Sequence, residues 1–276
     1  MKIGFIGIGN MGGSILSGYA ASGKADVHQL MAFDMNAELC MKTGKAIPQL
    51  ELCESGSELC RRADMIILGV KPQVIEGVLH ELADSYNAEK TIVSMAAGVD
   101  MSVVEAHLGS DAAVIRIMPN TPAKVGEAMT AVCRNANVKD DVFEAAMEIF
   151  SSIGKAQQVD ENLIDCVIGV SGSSPAYTYM YIEALAQAAA EEGMEAEKAR
   201  VFAAQAVLGA ARMVLESPES LEQLRINVCS PGGTTIEAVN KLFENGFMDN
   251  VKEGFSAAVE RSREMAEEKR SGGKQA

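Results

Sequence analysis

Short apolar runs alternate with amphipathic stretches through the first half of the chain. Lys2–Ile6 is a β-type run ending in glycines. Asn10–Ala21 repeats at helical spacing, with Met11, Ile15, Leu16 and Tyr19 on one side. His28–Phe33 reads as a strand, Asn36–Lys45 as a helix, and Gln49–Cys53 as a third, short strand. Ser57–Arg62 makes a turn or two of helix. Met65–Val70 is a continuous apolar run stopped by Lys71-Pro72, the pattern of a strand buried on both faces. Gln73–Ala83 returns to helix. Thr91–Met95 and Ala113–Met118 are further buried-type strands around a weaker helix near Asp100–His107. Ala128–Cys133 and Lys155–Gln158 extend the sheet and flank a helix at Val138–Ser152. Strands alternating with helices at this spacing predict βαβ units and a parallel sheet.

After Val159 the pattern changes to helical spacing throughout. Pro175–Glu192 reads as a long helix, with Ser173 or Ser174 placed to cap it and Gly193 to stop it. Ala196–Glu216 is a second long helix ended by Ser217-Pro218. Leu221–Asn227, Ile236–Asn245 and Val251–Lys269 follow, and Ser271–Ala276 reads as a disordered tail. The change places a boundary near residue 160, giving an α/β domain over 1–160 and an all-α domain over 161–276. The helical half is rich in small residues, from Ala184 through Ala190 and again from Ala203 to Ala211. High helix propensity accounts for them. So does a bundle buried on all sides, which in a domain this small requires a partner subunit.

Composition narrows the function classes. The 276 residues carry a formal charge of −14, from 24 Lys and Arg against 38 Asp and Glu. Nucleic-acid binding needs clustered cations, so this balance argues against it. A local anion site built from backbone N–H groups remains open. No apolar run approaches the length of a membrane span, and the glycine-broken start lacks a signal-peptide core, so a cytoplasmic protein is expected. The six cysteines are scattered without a C-x-x-C pair, which reads as reduced thiols. Three histidines without ligand spacing leave little material for a metal site.

Gly7-Ile8-Gly9-Asn10-Met11-Gly12 fits G-x-G-x-x-G, after a predicted strand and opening a predicted helix. The first glycine allows a tight turn, the second lets backbone approach a pyrophosphate, and the third lets helix and strand pack closely. The pyrophosphate then meets free N–H groups at the helix N-terminus. Asp34 ends the second strand. A carboxylate there can accept from the ribose 2′-hydroxyl and favour NAD, or it can cap the next helix; no Arg lies nearby to favour NADP.

Further motifs run along the chain in a fixed order. They are GFIGIGNMG at the start, ADMIILGVKPQ at 63–73, SMAAGV at 94–99 and RIMPNTPAKVGE at 116–127. SGSSPAYTYMYIEAL at 171–185 and CSPGGTTIEAV at 229–239 follow, and a helix containing Glu260-Arg261-Ser262 closes the set. In this order and spacing the chain resembles the pyrroline-5-carboxylate reductase family over essentially its whole length. The resemblance implies a doubly wound, Rossmann-type N-terminal domain and a helical dimerisation domain. It implies hydride transfer from NADPH or NADH to the C=N bond of L-1-pyrroline-5-carboxylate, giving L-proline in the last step of proline biosynthesis. It also implies a homodimer through the helical domain, with dimers often assembled into rings.

The residues suit that chemistry. The substrate is a small cyclic imine with one carboxylate. In Ser230-Pro231-Gly232-Gly233-Thr234-Thr235, two glycines expose backbone before a helix, and free N–H groups there suit a carboxylate. Thr234 with Glu237 also fits a T-x-x-E capping box. The resemblance makes Ser230, Gly232, Gly233, Thr234 and Thr235 substrate-binding and places Thr235 at the imine nitrogen. An unassisted threonine is a weak acid, so orientation carries most of the catalysis. Val70, Lys71 and Pro72, then Ala96, Ala97 and Gly98, then Met118 and Asn120 lie at strand ends, where α/β folds put ligands. Each is a candidate cofactor contact or an ordinary exit from a strand; Asn120 is alternatively a turn cap. The chain departs from the family at Ser174, where many members have Gly, and at Gly56, where an Asn often contacts the adenosine end. Rival readings are a reductase of another imine or hydroxyacid, and a non-catalytic dinucleotide-binding regulator. Hydroxyacid dehydrogenases of this build need a lysine in the first long helix, and Pro175–Glu192 has none.

Overall fold

A computed structural model describes residues 1–272. Among them, eight strands form one sheet. They are β1 (Lys2–Ile6), β2 (Gln29–Phe33), β3 (Glu51–Leu52), β4 (Met65–Leu68), β5 (Thr91–Ser94), β6 (Ala113–Met118), β7 (Ala128–Arg134) and β8 (Gly154–Gln158). Their order is β3-β2-β1-β4-β5-β6-β7-β8. The first six strands are parallel, because each is linked to the next by a crossover, mostly a helix: α1 (Asn10–Ala21), α2 (Ala37–Ala46), α3 (Gly56–Arg62), α4 (Ile75–Leu82) and α5 (Met101–Leu108). Only a short 3-10 turn, Thr121–Val125, links β6 to β7, too little chain for a crossover, and this pair is antiparallel. Helix α6 (Asp140–Ser151) restores a parallel β8. The order 3-2-1-4-5-6 reverses between β1 and β4, the switch point where doubly wound sheets bind dinucleotides.

Both sheet faces are covered, so strand residues alternate between two cores. Ile3 and Phe5 of β1, Met65 and Ile67 of β4, and Ile115 and Ile117 of β6 face one. Ile6, Ile66, Leu68 and Val114 face the other. This is why the strands read as continuous apolar runs rather than alternating ones. Arg116 interrupts β6 and is buried; its Nη1 donates to Asp100 at 2.8 Å and to Glu161 at 3.0 Å.

The chain divides into two compact units. The first is Met1–Gly172 together with the C-terminal half of the last helix, from Ala258; the second is Ser173–Ala257. This division differs from the expected boundary near residue 160. The sequence pattern predicts no element over residues 164–172, yet they form α7 (Ile164–Val167) and a π turn, Ile168–Gly172. Ile164, Val167 and Ile168 pack on the second core, which holds the segment to the sheet. In the last helix, α12 (Phe247–Gly272), Val259, Ser262 and Ala266 are buried at helical spacing. Ser262 Oγ donates to Asp165 at 2.6 Å, and Lys269 pairs with Glu76 at 3.1 Å. The helix runs through Ser271 and Gly272, where the sequence predicts a disordered tail; residues 273–276 of that tail lie outside the described residues.

The second unit opens with α8 (Ser174–Glu191) and α9 (Ala196–Glu216), which pack along each other across a short turn at Gly193. Helices α10 (Leu221–Asn227) and α11 (Thr234–Glu244) follow, then the first half of α12. Ser173 does not cap α8. Its backbone is already helical because the π turn feeds straight into the helix, whereas a capping serine needs an extended backbone.

Candidate functional site

Strands β1 and β4 end side by side, with Ile6 paired to Leu68. Gly7 and Gly69 therefore meet just beyond them. Gly7 has φ +86°, where side chains are strained, and a Cβ there would come 2.8 Å from Val70 Cγ1. A Cβ on Gly12 would lie 2.2 Å from Gly7 O, and one on Gly69 would lie 2.3 Å from the same oxygen. Any side chain at these positions would push α1 off the sheet. Gly9 is the opposite case: nothing lies within 4 Å of where its Cβ would point. Gly9 also begins α1 without a side-chain cap, so free N–H groups face that open space. The residues present fit a dinucleotide pyrophosphate, with Gly9, Asn10 and Met11 at the helix start to receive it. The Ile8 side chain is buried and its N–H donates to Asp34, so Ile8 shapes the turn rather than offering a free donor. Gly69 lies within the ADMIILGVKPQ motif, and the structure adds it to the cradle. Its signal was its place directly after the β4 run, level with Gly7.

Beside this cradle is a cleft of about 320 Å³ at the switch point, lined by Phe33, Asp34, Gly56, Val70, Lys71 and Glu81 among others. Asp34 does not cap α2. Asn36 does, accepting from Leu39 N–H at 3.1 Å. Instead, Asp34 Oδ2 accepts from Ile8 N–H and Oδ1 from Asn36 N–H, each at 2.9 Å. Glu81 has no signal in the sequence, because only the tertiary fold brings the end of α4 to this cleft. A larger groove, about 810 Å³, runs along the outer side of α1 past Ser14, Ser17 and Lys42, but it is broad and open. The less open cleft at the switch point is where doubly wound folds place adenosine.

The remaining strand-end candidates separate. Val70 and Lys71 line the cleft. Pro72 and Ala97 line another, of about 370 Å³, with Arg261 and Met265 of α12. The side chains of Ala96 and Met118 are buried in the second core, so they contribute at most backbone. Gly98, at φ +70°, is close-packed: a Cβ would sit 3.0 Å from Met265 Cβ, so its small size serves helix packing. Asn120 neither caps the following turn nor offers a free side chain. Its Oδ1 accepts from Met129 N–H at 3.0 Å and its Nδ2 donates to Ser171 O at 3.1 Å. It braces β7 to the π turn, partners no local pattern could reveal.

In the second unit, Gly233 N–H donates to Ser230 O at 3.0 Å, closing a turn in which Gly232 has φ +66°. The turn brings Thr234 in as the first helical residue of α11, with Gly233 at the cap position. The T-x-x-E capping box therefore does not form, because Thr234 lies one residue too far into the helix. No side chain caps α11, and Ser230, Gly232, Thr234 and Thr235 are exposed. First-turn N–H groups of α11 are thus open to an anion.

The histidines are occupied or peripheral. Tyr19 Oη and His28 Nδ1 are 2.5 Å apart, His107 Nδ1 lies 2.9 Å from Val103 O, and His80 is exposed. The six cysteines are free thiols, and burial pushes Cys133 up to about 12.

The strand order, the glycine cradle and the cleft define a dinucleotide-binding oxidoreductase of the Rossmann class, extended by a helical unit. Residues 161–265 match the family model for pyrroline-5-carboxylate reductase dimerisation, and residues 2–98 match that for NADP oxidoreductase coenzyme F420-dependent. The chain is 44% identical to the pyrroline-5-carboxylate reductase of Escherichia coli (strain K12), covering 96% of this chain and 98% of the relative. It is 39% identical to that of Methanosarcina acetivorans, covering 96% and 97%. The structure of a pyrroline-5-carboxylate reductase from Coxiella burnetii superposes with a TM-score of 0.88 at 34% identity, covering 96% of this chain and 98% of the other. That of the Plasmodium falciparum pyrroline carboxylate reductase with NADP bound gives 0.84 at 30%, with the same coverage. The chain belongs to the pyrroline-5-carboxylate reductase family.

Proposed function

We propose that this protein reduces L-1-pyrroline-5-carboxylate to L-proline with NADPH or NADH, the last step of proline biosynthesis. Cofactor binding belongs to residues 1–160. Substrate binding and dimerisation belong to residues 161–276, apart from the stretches that pack on the sheet. The observation that carries the substrate reading is the uncapped start of α11 behind the Ser230–Gly233 turn. Its N–H groups and helix dipole suit the single carboxylate of the imine.

When bound, the reduced nicotinamide supplies the hydride for the C=N carbon. The Gly7–Gly12 cradle holds the pyrophosphate and so fixes where the hydride donor stands. Ser230, Gly232, Gly233 and Thr234 hold the substrate carboxylate, and the Thr235 hydroxyl oxygen accepts a hydrogen bond from the protonated imine nitrogen. That nitrogen ends with the proton that balances the hydride. A threonine hydroxyl is a weak acid, so Thr235 mainly orients an imine that arrives protonated.

The dimerisation family match over 161–265 supports self-association. The same reading takes the assembly to a homodimer and, by family resemblance, to a ring of dimers in the cytoplasm. No helix among the described residues is long and apolar enough to cross a membrane.

Mixing the purified protein with pyrroline-5-carboxylate and following NADH and NADPH absorbance, with proline assayed as product, tests the reading. Proline formed in step with dinucleotide loss is the expected result. A protein that binds dinucleotide but leaves the imine unreduced would require another substrate.

A further inference from the structure

We propose that the cleft at the end of β2 selects NADH over NADPH, with Asp34 deciding the choice and Glu81 reinforcing it. The inference rests on the dinucleotide-binding reading of the glycine cradle and names the cofactor that the same site takes.

NADPH differs from NADH by a phosphate on the 2′-oxygen of the adenosine ribose. A site for that phosphate needs cations beside the end of the second strand. Here the charged residues lining the cleft are two carboxylates, Asp34 and Glu81, against one cation, Lys71. Gly56 offers no side chain to bond a phosphate, and Glu81 Oε1 lies 3.7 Å from where its Cβ would stand. The α2 lysines, Lys42 and Lys45, line other grooves.

Asp34 is also held in place. Its two oxygens accept from Ile8 N–H and Asn36 N–H, so it is tied both to the glycine turn and to the start of α2. A loose surface carboxylate could rotate away from an incoming phosphate. This one would forfeit two charge-assisted bonds by doing so. Each carboxylate oxygen keeps a free lone pair, so the fixed group can still accept from ribose hydroxyls. The bond to Ile8 links cofactor choice to the pyrophosphate turn. Removing the carboxylate therefore weakens NADH binding as well as admitting NADPH. The NADP of the matched family description and of the Plasmodium structure is a property of those proteins; the charges in this cleft oppose it.

The test is direct binding to the full-length protein, without the imine. NADH and NADPH are titrated by fluorescence, and AMP and 2′,5′-ADP are compared as competitors. The expected result is NADH binding about tenfold or more tightly than NADPH, with AMP the better competitor and the gap narrowing at high salt. Asp34→Asn keeps one acceptor and removes the charge, and should bring the two affinities within about threefold of each other. Glu81→Gln, at an exposed position, should move the ratio the same way by less, and it serves if Asp34→Asn does not fold. Wild-type protein that binds NADPH as tightly as NADH would overturn the proposal. So would a ratio unmoved in both variants. Binding of neither dinucleotide would overturn the cradle reading and this inference together. Tight NADH binding without imine reduction would sink only the substrate assignment.

Discussion

The sheet unit and the helical unit use apolar residues in opposite ways. In the sheet unit, Ile3, Phe5, Ile66 and Ile115 are fully buried, because helices of the same chain cover both faces. In the helical unit, the buried apolar residues among those described are Ala199 and Ala203, while Met180, Phe202 and Leu215 are about two-thirds exposed. Both units are rich in apolar side chains. The sheet unit satisfies its own hydrophobic demand; the helical hairpin does not. Apolar exposure of this extent marks an interaction surface, and the dimerisation family match supports self-association.

The most damaging single change should strike the sheet unit at its tightest point. Gly12→Val would put a Cβ against the Gly7 carbonyl, a backbone atom that cannot move aside. NADH binding should become unmeasurable by fluorescence and the melting temperature should fall. Retained binding would mean that helix and strand can separate without loss. Next in size, Leu208→Asp with Leu215→Asp, two turns apart on one face of α9, should convert the assembly to monomer in sedimentation. Reduction of the imine should fall at least about tenfold, while dinucleotide affinity stays unchanged. Persistent dimers would show that this face is not the interface.

Thr235→Val should lower kcat by roughly tenfold to a hundredfold with dinucleotide affinity unaltered, and Thr235→Ser should restore most of it. A kcat that survived the valine would remove the hydroxyl from the mechanism.

The smallest effect is on pH dependence. His28 is held below the ordinary histidine value, chiefly by burial, then by the N-terminal amino group, with Glu148 opposing. Its neutral form therefore favours the folded state. The stability it contributes is fully present above the ordinary value near 6.5 and is lost as pH falls through the lowered folded value. Melting curves at pH 7.5 and 5.5 should show a larger drop for wild type than for His28→Asn. Equal drops would show that His28 titrates alike in folded and unfolded chains.

Much of the fold was legible in the sequence. Asn10–Ala21, Ala113–Met118, Ala196–Glu216 and Leu221–Asn227 form with the bounds their periodicity implies. Local spacing suffices there, because one repeat of 3.6 or a doubly buried run admits one solution. The segment 164–172 carried no such repeat, and its helical turns depend on the core they pack against. The cap offered at Ser173 and the alternative capping box at Thr234 fail for one reason: a capping side chain works only on an extended backbone, and the preceding turn decides that.

The sequence by itself determined the alternation of elements, the glycine turn and the set of motifs that carries the family, because each depends on residue type and spacing along the chain. Only the tertiary structure decided what individual polar groups do. Asp34 is tied to Ile8, Asn120 braces Met129 to Ser171, Gly69 completes the cradle, and Glu81 faces the cleft. A hydrogen bond or a close contact needs a partner at a set distance. Those partners lie far along the chain and meet only once the sheet has formed.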